Sequence, residues 1–348
     1  GVRLDVDRLN KLHDELRQES EELRKDIEEH LGINPNSPKQ LSDKLGISST
    51  NKMFLELLED DSAKKVLEYR EIYKLFSTYA QSWKKSLDGD RIYPEFHQIR
   101  TITGRLSSEN PNFQNIPSRS QLGKKFRELV IASPGNKLVV ADFDQQELRL
   151  LAHFSRDPKL LKAYSEGEDV HAKTARMVFG EQISKEQRNI GKMLNFAVIY
   201  GAGKEKVASV LKIPVKEAED LLRKYFDYYK GVKEWIEWVK KIAMRGYVET
   251  AFGRKIPLSR SLTFSNGKFI VNPREAPNYI IQGTGADLTK SLMSVVSDII
   301  LQVHDEIVAD TRDPDKVVEQ IKSWTPPIPF NVQFPITVHV VDRWSEAK

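Results

Sequence analysis

The 348-residue sequence contains no cysteine. That excludes disulfides, thiolate zinc sites, iron–sulfur clusters and a cysteine nucleophile, so any metal has to sit on oxygen or imidazole. No window approaches roughly 18 uninterrupted apolar residues, which excludes a membrane-spanning helix. There is no internal repeat and no low-complexity tract. Charge of one sign is barely in excess: Lys+Arg 54 against Asp+Glu 50 gives +4, with a pI near 8.9. Such a surplus permits a nucleic-acid partner without indicating one. What remains, 30% charged and 39% hydrophobic residues, describes a globular chain of two or three subdomains around a shared core. The opening Gly-Val-Arg has no initiator Met and no signal-peptide pattern, and reads as a piece of a longer protein.

The first 31 residues read as one amphipathic helix, with Leu9, Leu12, Leu16, Leu23 and Ile27 along one face. Ser37-Pro38 has the form of an N-cap followed by Pro at the first helical position, and Gly46 closes that short helix. A long helix follows from Asp61 to about Leu87, its stripe being Val66, Tyr69, Ile72, Tyr73, Phe76, Tyr79, Ala80 and Trp83. Between 91 and 143 the texture turns extended, and the apolar run Leu138–Ala141 stops at Asp142. Residues 145–293 are helical again, apart from a break at Gly201–Gly203 and a hairpin over Tyr247–Pro257. Strands are expected at Ile299–Val303, Ile307–Ala309 and Phe334–Val341, with a helix over Asp313–Trp324. The order is helices, sheet, helices, sheet, so the middle helical block is inserted into one sheet. This is an α+β arrangement.

Two carboxylates stand out. Asp142 follows a buried-looking strand, and Asp305 sits at the turn between two apolar strands that one sheet could bring beside it. Hard oxygen ligands with open positions suit Mg²⁺, which keeps waters and takes phosphates as further ligands. Two such ions about 4 Å apart can activate an attacking oxygen and steady a leaving one. Asp is also an ordinary turn residue, but Asp305 has His304 and Glu306 beside it inside an apolar hairpin, where burying charge is expensive. Between 186 and 200, Arg188, Lys192, Phe196 and Tyr200 are spaced by four along one helix side. Cations first and aromatics next could hold a triphosphate and stack a base. A plain amphipathic helix with a solvated basic edge has the same pattern. Asn195 within the run and the glycines after it mark a hinge.

These stretches resemble the signatures of family A DNA polymerases, the bacterial DNA polymerase I type. Asp142-Phe-Asp-Gln-Gln-Glu-Leu-Arg149 is similar to motif A, Arg188-x3-Lys192-x3-Phe196-x3-Tyr200-Gly201 to motif B, and Val303-His-Asp-Glu306 to motif C. Thr103–Ser108 with Asn110–Pro117, Gly246–Arg254, and Gln282–Asp287 resemble further signatures. The likeness runs in order from Gly1 to Trp344-x-x-Ala-Lys348. It implies a right hand with helical thumb and fingers around an antiparallel palm sheet. The thumb would be mostly 1–90, the palm 91–156 and 294–348, and the fingers 157–293. No exonuclease domain falls in this chain, so it would lack proofreading. The implied reaction adds deoxynucleotides to a primer 3′-OH on primer–template DNA, in a cytoplasmic, monomeric protein of bacterial or phage type without membrane contact, an organellar origin remaining open.

Carried over residue by residue, the resemblance puts Asp142 and Asp305 on two Mg²⁺ ions, with Mn²⁺ able to substitute, and Glu306 beside them as an accessory carboxylate. Lys192 joins these as a catalytic side chain. Arg188, Lys192 and His171 would face the triphosphate. Phe196 would pack on the sugar and base, Tyr200 would stack near the templating base, and Glu147 would crowd a ribose 2′-OH. Arg105, Gln282 and His304 would lie at the primer terminus and its minor groove, where acceptors common to every base pair allow shape to be tested. Asn112, Gln114 and Asn115 would hold the template. Lys84, Lys85, Lys124, Lys125 and Arg127 are candidates for phosphate contacts.

Several positions depart from the family pattern: Asp144 for a small polar residue, Gln146 for an apolar one, Ala197 for Gly and Asn189 for a basic residue. Phe196 in place of Tyr implies discrimination against dideoxynucleotides. The stretch from Asp287 to Val303 is shorter than the family's. Two other readings compete. One is a relative with a different template or sugar choice, against whose RNA-making form Glu147 argues. The other is a catalytically dead primer–template binding module, against which the intact Asp142, Asp305, Arg188 and Lys192 argue.

Overall fold

The computed structural model describes the whole chain except residues 59, 118–120, 259–261, 266, 267, 272 and 348, and only the backbone of 53, 57, 262–265 and 268–271. Lys348 of the closing signature lies outside the described residues. Helix α1 (Val6–Leu31) starts later than the leucine spacing predicts. Val2 and Arg3 pair instead with Ile92 and Arg91, and the Asp5 carboxylate caps the helix by accepting from Arg8 N at 3.2 Å. Gly32, at φ 67°, closes it. The short helix Pro38–Leu45 has the expected Ser37 cap and Gly46 end. A further helix at Lys52–Leu57 carries no strong periodicity and escapes a sequence reading.

Helix α2 (Asp61–Lys74) continues through a π-helical turn, Leu75–Ala80, into Gln81–Lys85. The wider turn changes the predicted stripe. Leu75 is buried, whereas Tyr73 is 41% exposed. Trp83 keeps its predicted place. It stacks on Phe113 at 4.4 Å and meets the edge of Phe126 at 5.5 Å. Trp83→Ala removes a fully buried ring at this junction and should destabilise the fold by about 3–5 kcal/mol, read as a lower midpoint in denaturant unfolding.

The central sheet has strands β1 (Lys137–Phe143), β2 (Ile299–Val303), β3 (Glu306–Thr311) and β4 (Ile336–Val341), in the order β2-β3-β1-β4 and antiparallel throughout. Both faces are covered. Leu138, Val140, Val303 and Val308 join a core with Trp83, Phe113, Phe126 and Trp344. Val139, Ala141, Phe143, Ile307 and Ala309 join the larger core of the middle helices. Burial on two sides explains why β1 is a continuous apolar run with no alternation. That larger core includes residues of α4 (Gln146–Ser155), α5 (Val170–Phe179), α6 (Lys185–Ile199) and α7 (Ala276–Met293), all lying in sequence between β1 and β2. The hairpin Tyr247–Glu249/Lys255–Pro257 forms as expected. A second small hairpin, Leu262–Ser265 with Lys268–Val271, was not expected. The architecture is α+β, with one sheet interrupted by a long helical insertion.

Candidate active site

Asp142 is the penultimate residue of β1, and Asp305 lies in the turn joining β2 to β3. The sheet makes them neighbours: Phe143 N donates to the Asp305 carbonyl at 3.4 Å. That bond makes Asp142 and Glu306, which oppose each other in register, a narrow pair with Cα atoms about 4.5 Å apart. Asp142 and Asp305 are half-buried. Glu306 is 1% exposed. Its Oε1 accepts from Trp344 Nε1 at 2.8 Å and lies 3.5 Å from Arg127 NH1. The carboxylate expected beside the ions as an accessory group is thus tied to Trp344 and Arg127 in this structure. Arg127, a candidate phosphate contact, is buried, and its guanidinium lies 4.1 Å from the Trp344 ring centroid. Lys84, Lys85 and Lys124 are exposed, and Lys125 lies 3.6 Å from Glu15.

Asp305 and His304 open onto a cleft of about 330 Å³, which Arg105, Glu147, Phe196 and Tyr200 also line. Hard oxygen donors at the edge of an open cleft fit a divalent ion that takes its remaining ligands from water and substrate. Among the described residues, one group of three close ligand-type side chains occurs elsewhere, Glu95, His97 and Glu109 on a separate hairpin. Its groups already engage one another: His97 Nε2 lies 2.7 Å from Glu109, which also pairs with Arg100. Within the cleft, Tyr200 donates to Glu147 Oε2 at 3.0 Å, and Arg105 bonds Glu147 Oε1. Burial and the Glu147 charge push the Tyr200 phenol up to about 12. Glu147 is thus held from two sides within the cleft.

The four-residue spacing on α6 holds in space. Ser184 and Gln187 form a capping box at its start. Arg188 donates to Asp169 Oδ2 at 2.5 Å. Burial raises the Asp169 carboxyl, but Arg188 and the first amides of α5 outweigh it and hold the group below its ordinary value. Lys192 has no ion pair among the described residues. Phe196 and Tyr200 stack at 6.4 Å. Lys192, Phe196 and Tyr200 also border a wider groove of about 1100 Å³ with Arg274. Helices α5 and α6 approach so closely that a Cβ on Gly191 would lie 2.4 Å from the His171 carbonyl.

His171, expected to face the triphosphate, is 4% exposed, and burial, with Lys192 and Arg188 nearby, holds its pKa down to about 4 against the pull of Asp169. Asn195 Nδ2 donates to its Nδ1 at 3.1 Å, which places the ring proton on Nε2. Between pH 4 and about 6.5 the unfolded chain binds a proton that the folded chain does not. The contribution to stability is therefore complete above 6.5 and is lost as pH falls towards 4. Denaturant melts of wild type should show this decline. His171→Asn should flatten it by up to about 1.4 kcal/mol per pH unit. His153, also held down by burial, would leave a residual slope.

The residues expected at the template divide. Asn115 is exposed. The Asn112 carboxamide oxygen is taken by Gln114 N and Asn115 N. Gln114 is buried and donates to Gln302 Oε1 at 2.8 Å. Gln282 is half-buried on α7. Gln302 was missed by the sequence reading. It is buried and donates to the His304 carbonyl, so it braces the Asp305 turn. A lone polar residue in Ile-Ile-Leu-Gln-Val was its signal. Arg254 is the last residue of the Gly246–Arg254 signature. It donates to Asp287 Oδ1 at 2.9 Å, Thr103 O at 2.7 Å and Gly283 O at 3.0 Å, which ties three signature stretches together.

Among the departures, Asp144 is exposed and accepts from Thr337 at 3.0 Å. Gln146 is buried and donates to Thr289 Oγ1 at 3.2 Å. It fits because Gly285 has no side chain: a Cβ there would lie 2.6 Å from Gln146 Oε1. The short stretch closes cleanly, with α7 ending at Met293 and β2 starting at Ile299. No described helix is long and apolar enough to cross a membrane.

A profile described as DNA polymerase family A matches residues 6–346. DNA polymerase I of Helicobacter pylori is 35% identical over the whole of this chain, which spans 42% of that protein. The thermostable DNA polymerase I of Thermus aquaticus is 34% identical, again over the whole chain and 46% of its own length. The chain thus spans less than half the length of these curated relatives. A solved structure of the POL domain of Pol1 from M. smegmatis, in complex with DNA primer-template and dNTP, superposes with a TM-score of 0.88 at 28% identity, covering all of this chain and 68% of that one. With the profile spanning nearly every residue, the chain belongs to DNA polymerase family A.

Proposed function

We propose that this chain is the polymerase unit of a DNA-directed DNA polymerase, extending a primer 3′-OH with deoxynucleotides and releasing pyrophosphate. The observation that carries the reading is the cleft in which Asp305 and His304, Arg105, Glu147, and Phe196 with Tyr200 converge from four separate signature stretches. Helices 1–90 serve as thumb, the sheet with its flanking segments 91–156 and 294–348 as palm, and 157–293 as fingers. The family match takes up residues 6–346, and the chain extends primers without proofreading. The relative from M. smegmatis is described with primer-template and dNTP, and the same ligand classes are assigned here.

Asp142 and Asp305 hold two divalent ions, Mg²⁺ by preference. When bound, these lower the pKa of the attacking hydroxyl and neutralise charge at the phosphates. The protein supplies position and charge. Lys192 meets the triphosphate directly, and Arg188 does so on leaving Asp169. His171 contributes a neutral Nε2–H donor from the first turn of α5. Phe196 offers its ring to the incoming sugar and base. Glu147, fixed by Arg105 and Tyr200, crowds the 2′ position. Arg105 and His304 stand where the primer terminus enters.

Primer extension tests the reading. Wild type with primed DNA should add dNTPs with Mg²⁺ and not with EDTA, and should reject rNTPs. Glu147→Ala should narrow the dCTP-over-CTP ratio of kcat/KM by at least about tenfold, or ~1.4 kcal/mol. Tight primer–template binding with no extension under any condition would leave a binding module in its place.

A further inference from the structure

Asp142 and Glu306 face one another as a narrow cross-strand pair. Carboxylates so placed repel, and a buried carboxylate is costly unless it is paired. Glu306 is nevertheless almost fully buried. Its Oε1 accepts the Trp344 indole N–H at 2.8 Å and lies 3.5 Å from Arg127, whose guanidinium covers the Trp344 ring at 4.1 Å. Trp344 opens the 3₁₀ turn Trp344–Ala347, and its backbone N–H donates to Val130 O at 3.1 Å, just beyond α3 (Gln121–Glu128), which carries Arg127. The C-terminal turn and α3 therefore form one packed unit behind the strands that carry the two aspartates.

We propose that Trp344 is a positioning residue for the ion site. Its indole N–H, together with Arg127, draws the Glu306 carboxylate into the core, which fixes the start of β3 and sets Asp142 and Asp305 in the geometry that binds the divalent ions. Trp344 touches neither substrate nor ion, and acts only through Glu306. The inference rests on the polymerase reading above.

Two substitutions separate the donor from the ring. Trp344→Phe keeps most of the apolar bulk and loses the N–H. Trp344→His keeps an N–H on the corresponding five-membered ring and loses the bulk. Mn²⁺ is the probe, titrated into protein bound to a dideoxy-terminated primer–template and the matching dNTP. Unbound ion is read by electron paramagnetic resonance, well below each variant's melting temperature. Trp344→Phe should weaken Mn²⁺ binding by about tenfold, the lower end of what loss of an outer-shell partner costs, and should lower the melting temperature less than Trp344→His does, since the buried Glu306 carboxylate keeps Arg127. Trp344→His should melt lower and keep the wild-type affinity. In a Glu306→Ala background, Trp344→Phe should add nothing.

Three results would overturn the proposal: wild-type affinity in Trp344→Phe, affinity and melting temperature falling in parallel across both variants, or full additivity with Glu306→Ala. If wild type itself binds no Mn²⁺ in the complex, the polymerase reading falls and the proposal falls with it. If wild type binds Mn²⁺ and extends primers while Trp344→Phe behaves identically, only the proposal falls.

Discussion

Asp305→Ala should abolish primer extension, by on the order of 10³-fold or more, equivalent to about 4 kcal/mol in the barrier, while the protein still folds and still binds primer–template. Asp305 lies in the β2–β3 turn, whose backbone is secured independently by the Phe143 N to Asp305 O bond and by Gln302 on the His304 carbonyl. The side chain can therefore be removed without dismantling the turn. On the polymerase reading its removal takes away one of the two proposed ion ligands. A filter-binding assay beside single-turnover extension makes the separation visible. An Asp305→Ala enzyme that extends within tenfold of wild type would remove the ion role from this residue.

Lys192→Ala should lower kcat/KM for dNTPs by roughly 10²–10³-fold, comparable to losing one preorganised donor at an anionic transition state. Arg188→Ala should cost distinctly less. The difference follows from their partners: Arg188 is engaged by Asp169 at 2.5 Å and has to give up that pair to meet a phosphate, whereas Lys192 has no ion pair among the described residues. Rapid-quench measurement of single-nucleotide addition at varied dNTP would rank the two. Equal losses would contradict the assignment of Lys192 as the main triphosphate contact.

The local parts of this molecule could be read from its sequence. Apolar runs bounded by turn residues marked β1, β2 and β3, and the spacing by four on α6 survives as a real surface carrying Lys192, Phe196 and Tyr200. Signals failed where the determining partner is distant. Nothing near Glu306 announces that Trp344 and Arg127 will close over it. Arg127 reads as one more basic residue in Lys-Lys-Phe-Arg until the fold buries it beside an indole. His171 sits in an ordinary helix-start context, and its neutral state comes from the packing of α5 against α6 at Gly191. Local irregularity was the other obstacle. The π turn at Leu75–Ala80 exchanges which residues are buried, in a way no fixed helical period anticipates.

The strand order has a consequence for how the protein is made. β1 is one of the two inner strands, yet both of its partners, β3 and β4, lie beyond the long helical insertion that follows it. During synthesis, Leu138–Ala141 and the aspartate that follows leave the ribosome long before either neighbour exists, with open edges on both sides. Pairing with β3 must wait for Thr311 and pairing with β4 for Val341, a closure of long loops that is intrinsically slow and leaves an adhesive strand exposed meanwhile. A chain interrupted before Ile336 would retain every residue of the cleft and lack the strand that covers one edge of β1. Competence for chemistry therefore has to wait until the segment carrying β3 and β4 has been made and has found β1.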